Sequence, residues 1–165
     1  MLRPLEQFIC DECGRIIENP QDGYVEWEEG RDNEGNHFAR GFRIVHNVPA
    51  SPRQNVGCFR YENSPYRNDI QLDFFLENVN NYLMSFLDLG IVHDPHFHIG
   101  CRISNFHEFV EFFRRLTIPY YEEARRYFPT AIQEGYFEDV NELVLYKPDY
   151  LRRLITRYNP IHNNI

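Results

Sequence analysis

Cys10-Asp11-Glu12-Cys13-Gly14 is the stretch on which the reading of this chain turns. Two thiols separated by two residues sit on one tight turn and can point at a single ion. Glycine after the second thiol tolerates positive φ and lets backbone N–H groups approach the sulfurs. The stretch therefore predicts half of a tetrahedral Zn2+ site. A redox Cys-x-x-Cys belongs at the junction of a strand and a helix in a βαβ pattern, and that pattern is missing around Cys10. The other two ligands must come from segments that fold back onto the turn. His46 closes a predicted strand, and Cys58 follows a loop rich in Pro, Ser and Gly. The expected ligand set is Cys10, Cys13, His46 and Cys58. Cys101 is the substitute for Cys58, and is otherwise read as a small buried apolar residue. Four protein ligands leave no coordination position for water or substrate, so the expected site is structural.

Outward from the turn, residues 1–69 are rich in turn signals: Asn19-Pro20, Asp22-Gly23 and Pro49-Ala50-Ser51-Pro52. Gly23-Tyr24-Val25-Glu26-Trp27-Glu28 alternates and predicts a strand, with Trp27 as a core anchor. Phe42-Arg43-Ile44-Val45-His46 predicts a second strand, joined to the first by a loop from Glu28 to Asn36. A third extended piece is expected around Cys58-Phe59-Arg60-Tyr61. Residues 70–165 carry helical spacing. Apolar residues recur at Leu72, Phe75, Leu76, Val79, Leu83, Phe86 and Leu87, with Asn68 or Asp69 as cap and Gly90 as stop. Asn105-Phe106-His107-Glu108 has capping-box spacing ahead of a face made of Phe106, Phe109, Val110, Phe113 and Leu116. Pro119 suits the first turn of a helix over 120–127, a short helix follows Pro129, and Pro148 opens the last one. The expected class is α+β: a small N-terminal zinc-stabilised β-hairpin module over 1–69, packed on a C-terminal layer of four to five helices over 70–165, the two forming one continuous globular unit.

Composition narrows the function classes. The chain has 165 residues, 42% hydrophobic and 16% aromatic, enough for a real core. Its formal net charge of −8 is spread evenly, with 12 acids and 8 bases in residues 1–69 and 13 acids and 9 bases in residues 70–165. A duplex-DNA binder should carry a basic stripe; the one candidate patch is Arg40, Arg43, Arg53, Arg60 and Arg67. Of 17 basic residues only Lys147 is lysine, a usage suited to planar paired contacts. No apolar run is long enough to span a membrane. Met1-Leu2-Arg3-Pro4-Leu5-Glu6 lacks the features of a signal peptide, so a cytoplasmic protein is expected. In that reducing compartment four cysteines read as ligands or buried thiols rather than disulfides.

Two further clusters carry titratable groups. His93-Asp94-Pro95-His96-Phe97-His98 could hold a catalytic metal, and His107 could join it. The simpler reading is a polar turn between helices. Glu122 and Glu123, followed by Arg125 and Arg126, read as ion pairs on a solvated helix face. No HExxH motif, nucleophile elbow or phosphate-binding glycine loop is present, so no catalytic residue is assigned.

Ile9-Cys10-Asp11-Glu12-Cys13-Gly14, Asp22-Gly23-Tyr24-Val25-Glu26-Trp27, Phe42-Arg43-Ile44-Val45-His46 and Ile118-Pro119-Tyr120-Tyr121-Glu122-Glu123-Ala124-Arg125 together resemble a group of uncharacterised bacterial proteins of similar plan. At the level of the site the chain is similar to a zinc-ribbon or treble-clef knuckle. That resemblance implies a metal in the first third of the chain and no particular activity. The function expected from these readings is a zinc-binding module that contacts a protein partner. The alternatives are a metal-dependent hydrolase using the histidine segment and a nucleic-acid-binding zinc ribbon.

Overall fold

A computed structural model describes residues 1–53, 55–87 and 101–159. The class is α+β, with antiparallel strands first and helices after. The chain groups into two compact units, Phe8–Phe113, and Met1–Gln7 with Arg114–Ile165.

In the first unit, β1 (Phe8–Ile9) and β2 (Ile16–Ile17) form a two-residue antiparallel ladder on either side of the Cys-x-x-Cys turn. Phe8 stands opposite Ile17, and both side chains are fully buried. A 3-10 turn over Pro20–Asp22 leads into β3 (Gly23–Arg31), which pairs antiparallel with β4 (His37–His46). The hairpin loop is shorter than expected, because charged residues after Glu28 continue the ladder as far as Arg31 opposite His37. Asp32 closes the loop by accepting the N–H groups of Glu34 and Asn36 at 2.9 and 2.8 Å.

The ladder shifts register between Glu26 and Glu28, where Gly41 and Phe42 of β4 stand against the single Trp27. Gly41 takes φ +70°, and a Cβ there would run into the Tyr61 hydroxyl. The Phe42 N–H donates outside the ladder, to Glu108 Oε1 at 3.0 Å. Phe42 centres the aromatic core, with its ring 5.1–6.3 Å from those of Trp27, Phe86, Phe109 and Phe112.

The third strand is β5 (Arg67–Gln71), on the other side of β3, giving the order β4-β3-β5. Residues 58–61, expected as that strand, form none. Asn68 and Asp69 therefore do not cap a helix; they pair with Trp27 and Glu26. The helix expected over 72–87 is two, α1 (Leu72–Glu77) and α2 (Val79–Phe86). They divide at Asn78, whose side-chain amide donates to the Phe74 carbonyl at 2.9 Å and competes with the helical ladder. Gly90 lies outside the described residues. α3 (Phe106–Thr117) starts at Asn105, whose Oδ1 accepts the Glu108 N–H at 3.2 Å. Only half of the capping box forms, since the Glu108 carboxylate is taken by Phe42. The buried face of α3 is Phe109, Phe112, Phe113 and Leu116, whereas Phe106 and Val110 are exposed.

The second unit is built from short helices: α4 (Tyr121–Ala124), a 3-10 turn over Arg125–Tyr127, α5 (Phe128–Gln133), α6 (Glu142–Leu145) and α7 (Pro148–Tyr158). The described residues thus hold seven short α-helices rather than four or five. Pro119 precedes the helix instead of opening it, because Tyr120 takes φ +70° before α4 begins. Pro129 and Pro148 occupy first-turn positions, as expected. Tyr121, Ala124, Ala131, Leu151, Leu154 and Ile155 form the core of this unit. Glu122 and Glu123 are buried, not solvated. Glu122 takes a bidentate bond from Arg115 at 2.7 and 3.0 Å and a further bond from Arg125 at 3.0 Å. Glu123 accepts the Leu2 N–H and the Asn159 amide. Glu122 and Arg115 are both buried and need this pairing, which the half-buried Arg125 completes.

Phe42→Ala is expected to cost about 3–5 kcal/mol, the usual range for emptying a buried phenylalanine site. Denaturant unfolding followed by Trp27 fluorescence measures it directly, since the chain has one tryptophan and its ring lies 6.3 Å from Phe42.

Candidate metal centre

The turn between β1 and β2 is closed by two backbone bonds. Cys10 N–H donates to the Arg15 carbonyl, and Gly14 N–H to the Cys10 carbonyl, each at 2.9 Å. Gly14 takes φ +71°, the conformation its place after Cys13 predicts. Asp11 ties the turn to β4. Its N–H donates to the Ile44 carbonyl at 2.8 Å, and its Oδ2 accepts the Ile44 N–H at 2.7 Å.

That tie brings the thiols to His46, the last residue of β4. His46 Nε2 lies 3.1 Å from the Ile16 carbonyl, and Nδ1 lies 3.4 Å from Cys13 Sγ. A carbonyl only accepts, so Nε2 carries the proton. In the neutral imidazole Nδ1 then presents its lone pair toward the thiols. Cys58 arrives from the loop that follows β4. Its N–H donates to the His46 carbonyl at 3.1 Å, and its sulfur lies 3.4 Å from Ser51 Oγ.

The donor atoms of Cys10, Cys13, His46 and Cys58 all lie within 4.8 Å of one another. Metal–ligand bonds of about 2.0–2.3 Å in a tetrahedron place donors roughly 3.5–3.8 Å apart. Small side-chain rotations therefore close these four atoms around one ion, and the cluster can hold a metal. Cys10, His46 and Cys58 are buried and Cys13 is partly exposed. All four cysteines are free thiols. Cys101 is not in the cluster; its sulfur lies 3.9 Å from the Ile103 carbonyl. The segment from His93 to His98 lies outside the described residues.

Charged side chains brace the cluster. Glu12, inside the Cys-x-x-Cys turn, accepts Arg43 of β4 at 2.8 Å and Arg53 of the following loop at 2.9 Å. The Arg53 bond, with the charges of Arg43 and Arg60, holds the Glu12 carboxyl below the usual carboxylate range. Arg53 is raised in turn, first by Glu12, with the Cys58 and Cys13 thiols adding to the shift. Arg43 stands opposite Glu26 in the β3–β4 register, with Nε 3.4 Å from Glu26 Oε1. Glu26 is fully buried and accepts the backbone N–H groups of Arg60 and Tyr61. Burial pushes its carboxyl up, against the opposing pull of those bonds and of Arg43. The registry of Glu26 and Arg43 on facing strands was the one trace of this network in the sequence, visible only once the pairing is known.

No protein-family profile, curated protein or solved structure matches the chain. Among the described residues no helix is long and apolar enough to cross a membrane.

Asp11→Ala strips the buried Ile44 N–H of its acceptor and is expected to cost about 1–3 kcal/mol; thermal or denaturant melts measure it. Arg53→Ala is expected to move the Glu12 titration midpoint up toward the ordinary glutamate range, read by carboxyl NMR. An unmoved midpoint would show that Arg53 is not its principal partner.

Proposed function

We propose that this chain is a cytoplasmic zinc-stabilised module that acts by contacting another protein. Cys10, Cys13, His46 and Cys58 would hold one structural Zn2+, and no residue of the centre is assigned a catalytic role. The observation that carries the metal reading is the convergence of three thiols and one imidazole whose Nε2 is already committed to a carbonyl. Three sulfurs and one nitrogen form a soft to borderline donor set that suits zinc among the common divalent ions. Four protein donors fill a tetrahedron, which favours a structural ion over one with an open position.

The ion's work here is to tie together the Cys-x-x-Cys turn, the end of β4 and the loop that ends at Cys58. That loop carries no strand or helix in its described residues, so cross-linking it to the sheet restricts the unfolded chain most where the fold restricts it least.

A protein partner is favoured over nucleic acid by the state of the arginines near the centre. Arg40, Arg43, Arg53 and Arg67 each pair with a carboxylate: Glu28, Glu12, Glu12 and Asp69. Phosphate binding would have to break those pairs in a chain of net charge −8.

Elemental analysis of protein purified without added metal is expected to give one zinc per chain. Chelation should lower the thermal midpoint, and Cys10→Ser should abolish retention of the ion. A metal-free chain whose midpoint ignores both zinc and chelator would remove the structural reading. Affinity purification from the native host should recover a stoichiometric protein; salt-dependent recovery of nucleic acid in its place would overturn the partner assignment.

A further inference from the structure

We infer that Glu26 of β3 is the positioning residue that seats Cys58 as the fourth ligand, an inference that rests on the zinc reading above. Three of the four ligands are placed by strand pairing. Cys10 and Cys13 sit on the turn between β1 and β2, and His46 is the last paired residue of β4, opposite Gly23. Cys58 belongs to no strand or helix. On its N-terminal side it is fixed by one backbone bond to the His46 carbonyl. On its C-terminal side the chain is held by a side chain. Both carboxylate oxygens of Glu26 receive the Arg60 N–H, at 3.0 and 3.2 Å, and Oε2 also receives the Tyr61 N–H at 3.4 Å.

A buried carboxylate is a costly way to satisfy two backbone donors, because its charge must be taken out of water. What it gives in return is a stronger acceptor than any neutral side chain, and one that takes two adjacent N–H groups at once. Glu26 thus does for residues 60 and 61 what a neighbouring strand would do. The Tyr61 hydroxyl, packed against the Cβ-less Gly41, fixes the same segment from its other end. The facing partner of Glu26 extends the arrangement, since Arg43 also reaches Glu12 inside the Cys-x-x-Cys turn. One cross-strand pair therefore braces both thiol-bearing loops, and Glu26 governs the one that has no strand of its own.

Glu26→Gln keeps the volume but leaves one acceptor oxygen, and turns an amide NH2 toward a backbone donor. It is expected to weaken zinc binding by about 10- to 100-fold, the range typical of residues that orient metal ligands. The readout specific to Cys58 uses cobalt(II) in place of zinc. The wild-type protein should show thiolate-to-cobalt charge-transfer absorption from three sulfurs, and E26Q should lose the share that Cys58→Ser loses. In metal-free E26Q, Cys58 should also react faster with iodoacetamide than in the metal-free wild type, with Cys10 unchanged. Cobalt absorption and Cys58 reactivity identical to wild type would overturn the inference and leave the zinc reading standing. No charge-transfer band in the wild type would overturn both. If E26Q does not fold, amide exchange in the zinc-loaded wild type decides: slow exchange at Arg60 and Tyr61 supports the seat, and exchange at the unprotected rate overturns it.

Discussion

The pairing of Glu26 with Arg43 across β3 and β4 is the constraint on which the first unit depends. Strand register is an all-or-none choice, since a slip of one residue sends every side chain to the opposite face. With Glu26 opposite Arg43, Val25 faces Ile44 and both are buried, and His46 falls at the end of the ladder opposite Gly23. The bulge that follows keeps Trp27 and Phe42 together in the aromatic core despite the extra residue. The same register aims Arg43 at Glu12 and leaves Glu26 free to hold Arg60 and Tyr61. Core, ligand and loop are thus consequences of one alignment.

Much of this was legible in the chain because local patterns and tertiary demands agree there. Cys10-x-x-Cys13-Gly14 needs a tight turn with positive φ, and Gly14 supplies it. The alternation around Val25 marks a strand, although Glu26 within it is buried too, and the 3.6-residue spacing after Pro148 matches the face that α7 buries. The misreadings fall where a distant partner decides the outcome. Arg67-Asn68-Asp69-Ile70-Gln71 is polar and reads as a helix cap, yet it is an edge strand, where charged side chains are normal. Its conformation is set by β3, not by its own composition. Glu122 reads as solvated because its principal partner, Arg115, lies on a different helix seven residues away.

Residue type and topology contribute differently at the Cys/His cluster. Thiols and imidazole are visible as residue types, so the four residues that cluster could be named from the chain alone. The groups that brace them are ordinary acids and arginines, and nothing about Glu12 or Glu26 in isolation marks either as different from the exposed Glu18 or Glu34. Their role is created by topology. Glu12 is placed between two thiols by its position in the turn, and Glu26 is placed beneath the Cys58 loop by the strand it occupies.

A divalent cation held by three thiolates and one neutral imidazole would give the Cys10, Cys13, His46 and Cys58 cluster a net negative charge. In a chain already at −8, such a centre gains from nearby positive groups that cannot lose their protons. Arg53 and Arg43 meet that need without becoming a general anion-binding surface, because Glu12 holds both. Glu12 thereby fixes both guanidinium groups beside the cluster. Arg43 and Arg53 thus belong to the architecture of the cluster through one shared carboxylate.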